Sequence, residues 1–344
     1  MKNSAFVRAL AAAALCSAAA AFAQNYPARP ITIVVGNFPG SAADILVRQM
    51  SEELKTALKQ NIVVLNRTGA NGSIAVDSVR RARNDGYTLM FSTMTTLVVN
   101  PHLQQDAKYV AADDFEPIAR HVMQPMLWVA EKSAPYRSLK DIIEFARRNP
   151  DKLLVARLGY GGSSHLVAAA LMAQQNIRFT IVGLQTTSQA YVALKRGDVQ
   201  LMVDTAQPML PRIQAGEVTP LAVTSATRIK ALPDVPTWME AGAADADLTA
   251  WYAYLAPKGT PKDIVDTLSA EINKLLLTPK LRQPLEEVGG IVQPVNSEEL
   301  RRYLREEHAR WGRVIKSANL QPEDRKSTRL NSSHSQQSRM PSSA

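Results

Sequence analysis

The stretch Ile31-Thr32-Ile33-Val34-Val35-Gly36-Asn37-Phe38-Pro39-Gly40-Ser41-Ala42-Ala43-Asp44 decides the fold. Its first five residues are all β-branched, which predicts a buried strand. The turn of small residues that follows leads into an amphipathic pattern, which predicts a helix from about residue 43 to residue 59. A strand, a small-residue turn and a helix in this order begin a βα unit, so the sequence predicts an α/β fold.

The same alternation continues along the chain. Further strands are predicted at residues 62–65, 88–91, 126–130, 153–156, 181–182, 199–203, 220–224 and 252–256. Two long helices follow at about 262–277 and 297–316, the second with Ser297 as its N-cap. This late change from βα alternation to a strand and then helices indicates two lobes, with the chain crossing between them near Pro125 and near Ala250.

Both ends of the chain differ from this body. Residues 1–23 combine basic Lys2 and Arg8, a short apolar run and the small-x-small site Ala21-Phe22-Ala23, which predicts a secretory signal cleaved after Ala23. The alternative is a membrane anchor, for which the apolar run is short. The single cysteine lies inside this signal, so disulfides, thiolate zinc sites and cysteine nucleophiles are excluded from the mature chain.

The last residues, 324–344, have the composition of a disordered basic tail. Residues 324–334 match the translation of a common sequencing-adapter oligonucleotide, which predicts that 324–344 is non-native read-through and disordered. Without the signal and this tail, the formal net charge of +9 falls to +4. The remaining basic residues are scattered, without an aromatic stripe among them, so no nucleic-acid partner is expected.

Ligands of open α/β sheets bind beyond the carboxyl ends of the strands, where helix starts leave backbone N–H groups unpaired. Four segments of this chain occupy such positions, at residues 36–44, 92–96, 159–165 and 204–205. The candidate ligand-binding residues in them are Phe38, Pro39, Gly40, Ser41, Ala42, Asp44, Thr93, Thr95, Gly161, Gly162, Ser163, Ser164, His165 and Asp204. None of the segments is a P-loop. Taken alone, each is more often a structural turn, and four at corresponding positions are better evidence for a ligand site.

Several ordered motifs carry a resemblance to a known family. They include Tyr26-Pro27-Ala28-Arg29-Pro30-Ile31, Asn66-Arg67-Thr68-Gly69-Ala70-Asn71-Gly72, Gly161-x-Ser163-Ser164-His165-Leu166 and Leu232-Pro233-Asp234-Val235-Pro236-Thr237. Across nearly all of residues 26–316, the sequence resembles the Bug-type (TctC-like) periplasmic receptors of tripartite tricarboxylate transporters.

This resemblance implies a type II periplasmic-binding-protein fold, in which two α/β lobes joined by two hinge crossings close on a ligand. Lobe 1 is expected to comprise residues 24–125 plus 250–323, and lobe 2 residues 126–249. The implied ligand is a small organic carboxylate: a di- or tricarboxylate, an acidic amino acid or an aromatic acid. The implied protein is a monomeric periplasmic receptor without cofactor or metal, which serves a membrane permease or acts as an orphan sensor.

The departures from the family pattern concern the ligand. The family's P-F-P is Gly36-Asn37-Phe38 here, and its Y-K-G is Leu184-Gln185-Thr186, which is followed by the further candidate Thr187. Arg157 replaces a small residue, and we hypothesise that it binds a carboxylate with both guanidinium nitrogens. The alternative is a rim arginine paired with an acid. Asp204 either accepts from a ligand hydroxyl or amino group, or caps a helix.

Two other classes of protein are possible interpretations. A serine hydrolase would use Ser163 or Ser164 with His165 and Asp204, but adjacent Ser and His do not make a triad and Gly-x-Ser-x-Gly is absent. We therefore predict that the chain is not an enzyme and that His165 is a hydrogen-bonded packing residue. A LysR-type effector-binding domain shares the lobe architecture, but a secretion signal stands where its helix-turn-helix should be.

Overall fold

The computed structural model of the protein describes residues 26–243 and 248–322. The predicted signal peptide at 1–23 and the predicted read-through tail at 324–344 lie outside the described residues. Within the described ranges the strands form two five-stranded sheets, each mixed in strand direction. No helix in these ranges is long and apolar enough to cross a membrane.

The first sheet has the strand order β2-β1-β3-β10-β4. Its strands are β1 (Ile31–Val35), β2 (Ile62–Asn66), β3 (Thr88–Thr93), β4 (Phe115–Gln124) and β10 (Ala250–Pro257). β1 is parallel to β2 and β3, and Ile33 is paired with Val64 and Leu89. β10 enters from the far end of the sequence and runs antiparallel between β3 and β4.

The second sheet has the order β7-β6-β8-β5-β9. Its strands are β5 (Met126–Glu131), β6 (Leu154–Leu158), β7 (Thr180–Leu184), β8 (Leu201–Thr205) and β9 (Val218–Val223). β6 is parallel to β7 and β8, whereas β5 is antiparallel to β8 and β9. β5, which lies between β8 and β9, is therefore the strand that runs opposite to its neighbours in this sheet.

Helices connect and cover the strands. In chain order they are α1 (Ala42–Leu58), α2 (Ser73–Arg80), α3 (Asn100–Leu103), α4 (Ala111–Asp114), α5 (Leu139–Arg148), α6 (Ser163–Gln175), α7 (Thr187–Arg196), α8 (Ala206–Gln214), α9 (Lys262–Leu276), α10 (Pro279–Glu287) and α11 (Ser297–Ser317). α1 shows why they form: Ser41 caps its start, and Val47, Met50 and Leu54 bury one face at helical spacing. That face packs in the same apolar cluster as Ile33 of β1.

Two features of the fold differ from the sequence-based predictions. The strand β4 was missed, because Pro117, Arg120 and His121 interrupt its apolar pattern although nearly all of its residues are buried. The predicted N-cap of α11, Ser297, is wrong. Asn296 is the N-cap and accepts from the Glu299 N–H at 2.9 Å, while the Ser297 hydroxyl donates to the Pro117 carbonyl at 2.6 Å. Asn and Ser are equally good N-cap residues, so the cap is decided by contacts with the rest of the fold, here the hydrogen bond from Ser297 to Pro117.

The chain passes between the two sheets in two places. The first is the short link from β4 to β5, and the second leads into β10. One apolar cluster spans both crossings and contains Trp128 and Trp238 beside the second sheet and Trp251 and Trp311 on the other side. α11 packs against α6, so the last helix also joins the two halves. These crossings place the ends of β4, β5, β8 and β10 side by side.

Candidate functional site

A cavity of about 620 Å³ opens between the two sheets, at the carboxyl ends of their parallel strands. Residues from both sheets and from both crossings line it. They are Gly36, Asn37, Phe38, Gly69, Ala70, Asn71, Gly72, Thr93, Met94, Thr95, Thr96, Gln124, Met126, Leu158, Gly159, Tyr160, Gly162, Ser163, Ser164, Asp204, Thr205, Ala250, Trp251 and Tyr252. This size lies within the usual range for a small-molecule site.

The first wall is the loop between β1 and α1. The buried carboxylate of Asp44 holds it, because it accepts from the Gly40 N–H and from the Asn66 side chain, both at 2.9 Å. A hydrogen bond from Arg48 is the main reason that the pKa of Asp44 falls to about 2. Asp44 therefore fixes the loop and lies outside the lining. The Gly40 amide is used inside the loop, contrary to its predicted use as a ligand donor.

The second wall is formed by a left-handed segment, residues 70–72, and by the end of β3. Ala70, Asn71 and Gly72 all have positive φ angles, of 46°, 50° and 93°. The Thr96 hydroxyl donates to the Asn71 carbonyl at 3.2 Å and lies 3.1 Å from the Thr93 hydroxyl, which accepts from the Thr96 N–H. These hydroxyls bond to each other and to the backbone. Of the two predicted threonines, Thr93 is therefore part of an internal network.

The third wall is the start of α6. Gly162 is its N-cap, and the first turn contains no acidic residue. Within the described chain, no hydrogen bond uses the backbone N–H of Ser163 or Ser164. These donors sit at the positive end of a 13-residue helix dipole and border the cavity. The Ser164 hydroxyl bonds to the backbone of Leu158, so only the amides and the Ser163 hydroxyl remain for a ligand.

His165 stands behind this wall. Its Nδ1 accepts from the Gly161 N–H at 3.1 Å, and its ring packs against that of Tyr160 at 5.0 Å between centroids. Burial, helped by the charge of Arg157, lowers the pKa of His165 to about 4. In the described chain no hydrogen bond joins His165 to Ser163. The imidazole is a neutral packing group, and a nucleophile with an oriented base is not formed.

Asp204 is the one acidic group among the described residues that line the cavity. It is 5% exposed; one carboxylate oxygen accepts from the Thr187 hydroxyl and the other from the Thr205 N–H, both at 2.7 Å. Burial raises its pKa, although these two bonds oppose the effect. The helix-cap interpretation is wrong, since the N-cap of α8 is Thr205. Thr187, also predicted to bind ligand, holds this carboxylate from outside the lining.

Arg157 does not line the cavity. It neighbours Leu158, which does, and adjacent strand side chains point to opposite faces of a sheet. Its guanidinium lies 5.4 Å from the Tyr160 ring centroid and covers Gly183, where an added Cβ would be 3.1 Å from Nη2. The hypothesis that Arg157 binds a carboxylate in this cavity is therefore not supported by the geometry.

The structure brings seven of the predicted residues together in the lining: Phe38, Thr93, Thr95, Gly162, Ser163, Ser164 and Asp204. The others lie outside the lining: Pro39, Gly40, Ser41, Ala42, Asp44, Arg157, Gly161, His165 and Thr187. The left-handed segment and the crossing residues Gln124, Met126 and Ala250 were missed. Each group had a signal in the sequence. The small-residue run Gly69-Ala70-Asn71-Gly72 indicated the left-handed segment, and the predicted crossings near Pro125 and Ala250 indicated the crossing residues.

The chemistry of the lining is that of a binding site. None of its described residues is Lys, Arg or His, and no group of three or more His, Cys, Asp or Glu in the described chain could hold a metal. Helix-start amides face a cavity that two hinged halves share. The fold and the site together define a two-lobed receptor for a small ligand.

Residues 46–320 match the model of the TctC family, the tripartite tricarboxylate transporter family receptors. The chain therefore belongs to this family, which consists of periplasmic solute receptors and not of enzymes. It is similar to the UPF0065 protein in the tcbD-tcbE intergenic region of Pseudomonas sp. (strain P51), with 35% identity over 84% of this chain and 86% of that protein.

Solved structures agree with this assignment. The structure of R. palustris Rpa4515 with adipate is 30% identical, has a TM-score of 0.75, and covers 87% of this chain and 100% of its own. Periplasmic binding protein BugD is 31% identical, with a TM-score of 0.72 over 87% of this chain and all of BugD. The expected family and the two-lobed periplasmic-binding-protein fold are confirmed.

Proposed function

We propose that this receptor captures a small organic carboxylate in the cavity between its two halves. The observation that carries the proposal is the start of α6, where the Ser163 and Ser164 amides face the cavity without an acceptor in the described chain. A carboxylate there accepts charge-assisted hydrogen bonds at the positive end of the helix. The complex of Rpa4515 with adipate, in a protein of similar fold, supports this chemistry.

We propose residues 24–125 plus 250–323 as lobe 1 and residues 126–249 as lobe 2. The division of the strands between the two sheets supports these boundaries. Gln124, Met126 and Ala250 flank the crossings and line the cavity, so a rotation at the crossings changes the distance between the walls. The ligand then shifts the population toward the closed form by bridging the lobes.

Membership of the family also supports a membrane permease as the partner of this receptor. Closure presents a changed surface, which a permease of the tripartite tricarboxylate type would recognise; an orphan receptor would use the same closure to signal. Export through a signal peptide cleaved after Ala23 agrees with the periplasmic family. We propose that the receptor acts as a monomer. We propose that the carboxylate belongs to one of three classes of ligand: di- and tricarboxylates, acidic amino acids or aromatic acids.

The test combines a ligand panel with variants that separate an amide from a hydroxyl. Proline is tolerated at the first position of a helix, so Ser163→Pro deletes one N–H and leaves the start of α6 intact. Ser163→Ala keeps that N–H and removes the hydroxyl. Organic acids from the three classes are titrated into each protein by calorimetry.

We expect at least one acid to bind, and Ser163→Pro to weaken it roughly tenfold or more, the effect of one hydrogen bond to a charged group. Ser163→Ala should weaken it less. Equal affinity of Ser163→Pro and the unchanged protein would exclude the helix start as the carboxylate site. Failure of every acid to bind, with the fold intact by circular dichroism, would remove the proposed function.

A further inference from the structure

Four polar residues of the first sheet and its loops line the cavity and form a polar subsite: Asn37, Asn71, Thr95 and Gln124. Asn37 and Asn71 accept hydrogen bonds at their backbone carbonyls, and no hydrogen bond within the described chain uses the side chain of any of the four. Gln124 is nevertheless only 8% exposed. Because buried polar groups in proteins are almost always hydrogen-bonded, these side chains indicate a polar partner inside the cavity.

Three of the four residues lie on segments that meet at Gly72. A Cβ on Gly36 would be 2.9 Å from the Gly72 Cα, and a Cβ on Gly72 would be 2.7 Å from the Thr96 Oγ1. These close approaches require glycine, and they bring together the loop with Asn37, the left-handed segment with Asn71 and the end of β3. The polar subsite is therefore one connected part of the cavity, on the side of the first sheet, whereas the start of α6 belongs to the second sheet.

Asn37 is the member of the polar subsite that departs from the family pattern, since it stands at the phenylalanine of P-F-P. The departure exchanges an aromatic ring for an amide with two donor hydrogens and an acceptor oxygen. The backbone of Asn37 is held, because the Asn66 side chain donates to the Asn37 carbonyl at 3.1 Å and to the Asp44 carboxylate at 2.9 Å. A side chain on a fixed backbone loses less conformational freedom when it binds a ligand, so Asn37 is well placed to bind one.

We infer that Asn37 is a specificity-determining residue, and that the polar subsite binds a second polar group of the ligand while the start of α6 binds its carboxylate. A second carboxylate accepts from the donors of the subsite, and a hydroxyl both donates and accepts, so either group fits. Asp204, the acidic residue of the described lining, is on the second sheet and outside this subsite.

An apolar end on the ligand would leave the polar subsite without partners. A site built to hydrogen-bond a ligand group discriminates strongly against an analogue that lacks the group, because its own polar groups then stay unpaired. This inference rests on the proposed function and deepens it, since it names the residue that reads the end of the ligand remote from α6.

The test uses three acids that share a six-carbon chain and differ at the far end. Hexanoate ends in a methyl group, 6-hydroxyhexanoate in a hydroxyl and adipate in a second carboxylate. Each is titrated by calorimetry into the unchanged protein, Asn37→Ala and Asn61→Ala. Asn61 is the matched control, because it is an exposed asparagine outside the lining whose side chain makes no hydrogen bond within the described chain.

We expect 6-hydroxyhexanoate and adipate to bind at least about tenfold more tightly than hexanoate. Asn37→Ala should weaken both by roughly fivefold to tenfold, the effect of one hydrogen bond, and should leave hexanoate unchanged, while Asn61→Ala should change none of the three. Equal affinity for the three acids overturns the inference and leaves the proposed function standing. So does an Asn37→Ala effect that is absent or equal for all three, since Asn37 would then not read the far end. Binding of none of the three also overturns the inference, whereas the proposed function is then decided by the wider panel of acids.

Discussion

The substitution Asp44→Asn tests whether one buried charge holds the loop that carries Phe38. The Asp44 side chain is 5% exposed and accepts hydrogen bonds from Arg48, Asn66 and the Gly40 amide. Its pKa falls from an ordinary value of 3.8 to about 2, so the folded state favours the charged form by about 2 kcal/mol. Because the Arg48 side chain is 50% exposed and screened by solvent, we expect Asp44→Asn to lose about 1–2 kcal/mol of unfolding free energy.

The pH dependence identifies the cause of this loss. A carboxyl with a lowered folded pKa stabilises the protein above its unfolded pKa, and the stabilisation disappears as pH falls through the folded pKa. The difference between the two proteins should be constant from pH 7 to pH 5 and should fall to about half at pH 3. Urea unfolding followed by circular dichroism at the three pH values measures it.

Asp113→Asn is the matched control. Asp113 pairs with Arg305 at 2.8 Å, but both side chains are more than half exposed, so we expect a loss below about 0.5 kcal/mol. A loss in Asp44→Asn that is as large at pH 3 as at pH 7 would refute the electrostatic reasoning. The anchoring of the loop would then depend on the shape of the side chain and not on its charge.

Three further predictions concern the interior. Because the pKa of His165 is about 4, the free energy of unfolding should fall by up to about 3 kcal/mol as pH falls from 6.5 to 4. His165→Gln should remove part of that slope in urea titrations, and an unchanged slope would contradict the neutral, buried imidazole. Glu307 is 1% exposed and accepts from the indoles of Trp251 and Trp311 at 2.8 and 3.1 Å, so Glu307→Gln should cost about 3 kcal/mol of unfolding free energy in urea. The control Glu298→Gln, in the exposed first turn of the same helix, should cost almost nothing, and similar losses for the two variants would argue against the buried pairing. Gly72→Ala places a Cβ 2.7 Å from the Thr96 hydroxyl, so it should weaken ligand binding, while the control Gly197→Ala, at a similar positive φ in open space, should only destabilise the protein by about 1 kcal/mol. Unchanged ligand binding by Gly72→Ala would show that the left-handed segment does not shape the cavity.

Local patterns were sufficient to predict most of the fold. The β-branched run at Ile31–Val35 became a buried strand, and β5 and β10 begin at Met126 and Ala250, where the chain passes from one sheet to the other. The strand β4 was missed because its partner β10 is more than a hundred residues away. Its Arg120 and His121 are buried by that long-range pairing, which no local pattern contains.

The site was predicted less completely for the same physical reason. A βα loop in the sequence indicates a turn near the ligand edge, but it does not show where the donors of that turn are used. Gly40 and Thr93 bond within the protein, whereas the amides of Ser163 and Ser164 do not. Arg157 was expected in the cavity, and its place on the other face of β6 follows from strand register relative to Leu158.

The two walls of the cavity are chemically unequal, and this has a consequence for closure. The second sheet contributes the open amides at the start of α6, while the first contributes Phe38, the hydroxyls of Thr93 and Thr96, which are bonded to each other, and the hydroxyl of Thr95. In the proposed complex, lobe 2 binds the carboxylate at the start of α6, and lobe 1 closes against the rest of the ligand. The affinity gained on closure then grows with the apolar area that Phe38 covers. An acid too short to reach Phe38 would bind to lobe 2 without shifting the equilibrium between open and closed forms, because a ligand moves that equilibrium only by its different affinity for the two.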